Sequence, residues 1–120
     1  MAQVRWVEHQ GKSILYVDYR GHATSEEMIA ALEEQIQIIR TSLTPVLVLS
    51  NFAESTVSIE YMTRLKTIDQ EIRDQKMPKN AVLGVTGLKV VLLQSYIHFT
   101  GASNIRTFDT EDEALAWLVE

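Results

Sequence analysis

Three hydroxyl side chains lie close together in the sequence, just ahead of a helical pattern. Ser55, Thr56 and Ser58 precede the apolar periodicity that begins at Ile59. At a helix N-terminus, free backbone N–H groups and the helix dipole favour a phosphate or another anion. Ser and Thr at the same position also act as N-caps, accepting a backbone hydrogen bond without any further role. The sequence therefore predicts either a loop for phosphorylation or partner docking, or simple helix capping.

A second candidate site is the segment 88–99, which is apolar on nearly every side. Its helical stripe includes Leu92, Tyr96 and Phe99, and further apolar side chains occupy the other sides. A helix that is apolar all round is either buried or has a partner. We therefore expect it to contact a second subunit, an apolar ligand or neighbouring helices.

The other residues that could take part in catalysis or metal binding are not arranged at the spacing that such sites require. His9, His22 and His98 lack partners at the spacing of metal ligands, and the chain contains no cysteine. The connection from Gly84 to Gly87 lacks the full glycine pattern and the lysine of a nucleotide-binding loop, so both glycines are expected to serve backbone geometry. Because no nucleophile–base pair can be assembled, the sequence predicts a protein that is not an enzyme, with no metal and no cofactor.

Charge and composition narrow the class of partner. The 120 residues include 11 Lys and Arg against 16 Asp and Glu, a net charge of −5, which disfavours nucleic acid. With 46% apolar residues the chain is long enough for one globular domain spanning residues 1–120. Residues 1–6 lack the apolar region of a signal peptide, and no apolar run approaches membrane-spanning length. We therefore expect a cytoplasmic protein with no membrane span.

Strand and helix patterns alternate along the chain. Strands are predicted over residues 4–8, 14–19, 46–49, 81–85 and 104–108, and helices begin near Ser25, Ile59, Leu88 and Asp109. The second helix is expected to run through Ile72. The opening hairpin is antiparallel, whereas strands separated by helices are parallel, so the prediction is an α/β fold with a mixed sheet.

Three stretches resemble the SpoIIAA-like group, small bacterial proteins related to the sporulation anti-anti-sigma factor. Tyr-Arg-Gly at residues 19–21 leads into the first helix, and Pro-Val-Leu-Val-Leu-Ser-Asn-Phe at residues 45–52 resembles the central strand of the family. Residues 108–118, with Ala-Leu-Ala-Trp-Leu at their end, resemble its closing strand and helix. This STAS-like group overlaps with lipid-transfer (CRAL-TRIO) proteins. The resemblance implies a mixed five-stranded sheet with helices mainly on one face, and regulation through protein contacts rather than catalysis.

The resemblance also bears on the hydroxyl cluster. Regulators of this type carry an Asp-Ser-Ser-Gly-like segment before the second helix, and a partner kinase phosphorylates the serine. This chain has Ala-Glu-Ser-Thr-Val-Ser-Ile at residues 53–59, so Ser55 or Ser58 takes that place, and no glycine follows either.

Together these observations predict a non-enzymatic regulatory module that interacts with a protein partner, a regulator or a kinase. Its contact surface would be the loop of residues 50–58 with the start of the second helix, and the third helix would form a homodimer contact. The alternative is a carrier or sensor of a small apolar ligand, held between the third helix and the sheet, in line with the lipid-transfer resemblance.

Overall fold

The computed structural model describes residues 2–21, 23–68 and 72–120, without the side chain of residue 74. The elements appear in the predicted order, with one addition, a π-helical turn. They are β1 (Gln3–His9), β2 (Lys12–Asp18), α1 (Ser25–Thr41), β3 (Leu47–Asn51), α2 (Ile59–Lys66), the π-helical turn (Ile72–Lys76), β4 (Lys79–Leu83), α3 (Leu88–Thr100), β5 (Ile105–Phe108) and α4 (Glu111–Leu118).

The five strands form one mixed sheet whose spatial order is also their order in the chain. β1 pairs antiparallel with β2, and every later pair is parallel. The predicted α/β class, the mixed five-stranded sheet and the N-terminal hairpin are therefore confirmed.

Alternation along the strands separates two apolar layers. On one face Leu15, Val17 and Val48 are buried against α1 and α2. On the other face Ile14 and Leu49 are buried against α4. Because α3 also lies over the first face, the expectation of helices mainly on one face is confirmed, with α4 as the exception.

The second helix is shorter than predicted. α2 ends at Lys66, a separate π-helical turn begins at Ile72, and residues 69–71 lie outside the described part of the chain. The Thr67 hydroxyl donates to the Arg64 carbonyl at 2.7 Å, a local bond that competes with helix continuation. The prediction of one helix through Ile72 was therefore wrong, although Ile72 is buried as its apolar type requires.

The start of β4 also differs from the prediction. β4 covers Lys79–Leu83 rather than residues 81–85, since Lys79 already pairs with Leu47 and Asn80 with Val48. Backbone pairing with the central strand extends the strand through two polar residues that a hydrophobicity pattern does not report.

The helix starts follow capping chemistry. Thr24 caps α1, accepting from the Glu27 backbone, and Glu27 reaches back to the Thr24 N–H at 2.8 Å. Ser58 caps α2 and Thr110 caps α4 in the same way, through the backbone N–H three residues on. Thr24 is therefore the residue that caps the helix predicted to begin near Ser25.

Asp18 at the end of β2 provides a test of stability against pH. Arg20 donates to Asp18 from its side chain at 2.8 and 3.0 Å, which lowers the pKa of Asp18 to about 2. A pKa below the unfolded value of about 3.9 means stabilisation that is present above pH 4 and lost as the pH falls through about 2. We expect Asp18→Asn to lower the free energy of unfolding by about 1–2 kcal/mol at pH 7, since the Asp18 side chain is 13% exposed.

Urea unfolding of Asp18→Asn and the unaltered protein at several pH values measures this. The difference between the two proteins should shrink as the pH falls from about 4 to about 2. A difference that stays constant down to pH 2 would show that the Asp18–Arg20 pair has no linkage to folding.

Candidate functional site

The candidate site is a cavity between α3 and the sheet. It has a volume of about 70 Å³, several times the roughly 10–15 Å³ that one water molecule needs. Its apolar walls come from α1, α2, α3 and the middle of the sheet: Leu32, Phe52, Val57, Tyr61, Met62, Leu65, Ile68, Val82, Val85, Leu92, Leu93, Tyr96 and Ile105. Such a lining favours an apolar molecule over a polar one.

Aromatic packing fixes one wall of the cavity. The Tyr19 and Phe52 rings stack with centroids 4.8 Å apart, and the Tyr61 ring meets Tyr19 edge to face at 5.5 Å. The Tyr61 hydroxyl donates to the Tyr19 hydroxyl at 3.1 Å. Burial raises the pKa of both phenols, so they stay protonated. This cluster attaches α2 firmly to the ends of β2 and β3.

Polar side chains gather where β4 and β5 begin. Asn104 donates from Nδ2 to the backbone oxygens of Arg73 and Met77 at 3.1 and 2.7 Å. Gln35, which is buried in α1, donates to the Met77 sulfur at 3.6 Å. Ser50 donates to the side-chain oxygen of Asn80 at 3.2 Å. We call this group the polar cluster, consisting of Gln35, Ser50, Arg73, Asn80 and Asn104, all of which line the cavity.

Lys89 lies near the opposite ends of the strands. Its Nζ donates to the Phe52 carbonyl at 2.8 Å, just after β3 ends. Partial burial lowers the pKa of Lys89, because the charged form loses contact with water. The cavity therefore extends along the strands between Lys89 and the polar cluster.

The structure divides the predicted residues of the third helix between two environments. Leu92 and Tyr96 line the cavity, and Tyr96 is buried. Phe99 is 67% exposed, and the Lys66 ammonium lies 5.3 Å from its ring centroid. The stripe predicted for one surface is thus divided between the cavity and the outside of the helix.

The predicted hydroxyl residues occupy three distinct environments. Ser55 is buried and donates to the Phe52 carbonyl at 2.6 Å. Ser58 accepts from the Tyr61 N–H at 3.0 Å, and its hydroxyl shares a 2.6 Å hydrogen bond with Ser25. Thr56 is exposed. Capping is therefore the observed role of Ser58, and Thr56 offers the accessible hydroxyl of the loop.

Two substitutions of Ser58 distinguish its role as a helix cap from the effect of a negative charge at the same position. Ser58→Ala removes the cap of α2 and the partner of Ser25, so we expect the free energy of unfolding to fall by about 1–2 kcal/mol. Ser58→Asp keeps an acceptor for both groups and should stay within about 0.5 kcal/mol of the unaltered protein. Thermal and urea unfolding measure both variants, with Thr56→Ala as the exposed control. Equal losses for alanine and aspartate at residue 58 would contradict the capping role.

Some residues at the site could not be found from the sequence. Arg73 and Asn104 are far apart in the chain and belong to no sequence motif. Gln35 does not break the apolar pattern of its helix, so the sequence does not mark it either. A second network is also new: Asn51 donates to the Tyr16 hydroxyl at 2.9 Å, which donates to Glu111 at 2.7 Å. That network connects α4 to the sheet, on the face opposite the cavity.

The remaining candidate residues of the sequence analysis either have a structural role or lie outside the described part of the chain. Gly84 has φ +75°, and a Cβ there would lie 2.2 Å from the Ala53 nitrogen, so its predicted backbone role is confirmed. In the described part of the chain no group of three or more His, Cys, Asp or Glu side chains could hold a metal ion. His22 lies outside the described residues. No helix among the residues with assigned structure is long and apolar enough to cross a membrane.

Comparison with known proteins places this geometry in a family. The SpoIIAA-like family matches residues 14–119, most of the chain. The fold is also similar to the crystal structure of an uncharacterized protein of the DUF3478 family from Shewanella loihica, which has a SpoIIAA-like fold. The TM-score is 0.69 and the identity 19%, over 98% of this chain and 93% of that one. No curated protein matches the sequence.

Proposed function

This chain belongs to the SpoIIAA-like family, and on that basis we propose that it is a non-enzymatic regulatory module that acts by binding. The fold of the family suggests a role in interaction, and the mode best supported by the geometry is the binding of a small apolar ligand beneath α3. We further propose that residues 1–120 act as one domain, in the cytoplasm.

The observation that carries ligand binding is the cavity between α3 and the sheet. Its side walls are apolar, and Leu92 and Tyr96 both line it. On the outside of the same helix Leu88 and Val91 are 72% and 59% exposed, so little protein covers α3 from above. A helix covered on one side only can shift outward to admit a ligand at smaller cost than an element packed on both sides. At about 70 Å³ the cavity is about half the roughly 150 Å³ that holds a benzene ring, so a six-carbon ligand requires α3 to move outward.

Native mass spectrometry tests this on protein purified from its own host. A non-covalent adduct that is lost on denaturation supports the ligand-binding function. As a defined probe, 1-hexanol should raise the melting temperature in a saturable manner, because a ligand that binds only the folded protein stabilises it. Absence of both the adduct and the hexanol effect would overturn the ligand-binding function.

Protein interaction is the second candidate, favoured by the exposed apolar side chains on the outer face of α3. We propose that this face forms a homodimer contact, since burying apolar side chains against a second copy removes them from water. Val91→Glu should then shift a dimer to monomer in analytical ultracentrifugation. Leu43→Glu is the matched control, because Leu43 is fully exposed in the turn after α1. A protein that is monomeric at all concentrations would contradict this contact.

Phosphorylation by a partner kinase remains part of the interaction proposal, with the loop of residues 50–58 as the docking surface. Thr56 supports it best, because its side chain is exposed while Ser55 is buried and Ser58 caps α2. Peptide mapping of the protein from its host locates any phosphate. A phosphate on Thr56 supports the switch, and a fully unmodified loop in protein from active cells counts against it.

A further inference from the structure

The charges around the cavity are unevenly distributed. Among its described lining residues Arg73 and Lys89 are positively charged, and none is an Asp or Glu. The chain as a whole has a net charge of −5, so the described part of the lining has the opposite sign. A positive lining in an acidic protein favours an anionic ligand over a neutral or cationic one.

Arg73 is the deeper of the two cations. It is only 7% exposed and lies at the end of the cavity that contains the polar cluster. A guanidinium has five N–H donors in a planar fork, so it can keep its contacts within the protein and still donate to a ligand oxygen. A carboxylate matches that fork with two oxygens.

Asn104 adds a second polar atom at the same end. Its Nδ2 donates to two backbone oxygens, which fixes the orientation of the amide. Its Oδ1 is buried and accepts no hydrogen bond from the described residues. Buried acceptors are normally satisfied, and a carboxylate has no hydrogen to donate, so we expect a water to donate one hydrogen to this oxygen and the other to the ligand.

We propose that the cavity binds a small aliphatic carboxylate, with its head against Arg73 and a water held by the Asn104 Oδ1, and its apolar body beneath Leu92 and Tyr96. This inference rests on the proposed ligand-binding function and names the chemical class of the ligand. The cavity is polar at the end where β4 and β5 begin and apolar along its sides, which matches a molecule with one charged end. Its volume of about 70 Å³ excludes a whole lipid, and a six-carbon body enters only with an outward shift of α3.

Probes of equal chain length test the head group on the unaltered protein. Hexanoate, 1-hexanol and hexylamine share one apolar body, and titration calorimetry with ligand-observed NMR measures their dissociation constants. A charge-assisted hydrogen bond at Arg73 should make hexanoate bind at least about tenfold more tightly than hexanol. Hexylamine should bind most weakly, because its ammonium meets a positive lining.

Two variants identify the cation. Arg73→Met should remove the preference for hexanoate over hexanol while hexanol binding persists. Lys89→Met removes the other cation of the lining and should reduce that preference less than Arg73→Met does, since Lys89 lies at the other end of the cavity. Cooperative thermal unfolding verifies that each variant is folded, and the head-group series on the unaltered protein does not depend on either variant.

The outcomes separate this inference from the function on which it rests. Hexanol binding as tight as hexanoate, tighter binding of hexylamine, or a preference lost in Lys89→Met instead of Arg73→Met would each overturn the carboxylate inference and leave ligand binding in place. No binding of any of the three probes would overturn both.

Discussion

Replacing Gly84 by alanine is expected to lower the free energy of unfolding by roughly 3 kcal/mol or more. Two costs add at this position. The backbone has φ +75°, a conformation that L side chains rarely adopt, and the new Cβ would meet Ala53 backbone atoms at 2.2 and 2.6 Å. Backbone cannot rotate away as a flexible side chain does, so β4 and the loop after β3 would have to separate.

Gly101→Ala is the matched control. Gly101 also has a positive φ, +70°, at the end of α3, but nothing lies within 4 Å of its added Cβ. Gly101→Ala should lower the free energy of unfolding by about 1 kcal/mol, the cost of the left-handed conformation alone. Urea unfolding of both variants measures the difference, and equal losses would contradict a steric origin at Gly84.

The same substitution bears on the candidate site. Gly84 allows β4 to approach the segment that contains Phe52. The Phe52 carbonyl accepts a hydrogen bond from Lys89, and the Phe52 ring stacks on Tyr19. A Cβ at residue 84 should therefore weaken ligand binding as well as stability. The sequence predicted the backbone role of Gly84 but not the contact, since Ala53 and Gly84 are far apart in the chain.

Local patterns predicted the fold because most of its elements obey them. In β2, Ile14 and Tyr16 alternate with Leu15 and Val17, and the structure buries each pair on its own face of the sheet. The apolar run in β3 is typical of a central strand buried on both sides, and the structure places β3 third of five. These signals act over a few residues and need no knowledge of tertiary contacts.

The second helix shows where local patterns fail. Its apolar residues continue at helical spacing to Ile72, yet Ile59 is 82% exposed and the helix stops at Lys66. A side-chain bond of Thr67 and the burial of Ile72 in a separate turn decide the outcome. Periodicity reports which residues are apolar, and it does not report which backbone path buries them.

Local patterns in the sequence indicated the apolar helix of the candidate site but not its polar cluster. The all-apolar character of residues 88–99 indicated a ligand or a partner, and Leu92 and Tyr96 do line the cavity. The polar cluster depends on Gln35, Arg73 and Asn104, which come from α1, the π-helical turn and the segment before β5. No spacing rule joins residues so far apart, so only the tertiary structure brings them together.

Leu92→Trp is expected to weaken the binding of 1-hexanol and of hexanoate by at least about tenfold. Leu92 lines a cavity of about 70 Å³, and the larger indole would occupy the space that a ligand body needs. The fold should tolerate the change, with a stability difference of about 1 kcal/mol, because α3 is exposed on its outer side and can move slightly.

Val91→Trp is the matched control, one residue away on the outer face of the same helix. Val91 is 59% exposed and does not line the cavity, so the same aromatic side chain there should leave probe binding unchanged. Titration calorimetry on both variants measures the dissociation constants, and circular dichroism verifies the fold. If Leu92→Trp binds the probes as the unaltered protein does, the ligand lies elsewhere. If both variants lose binding, movement of α3 as a whole, rather than filling of the cavity, controls access.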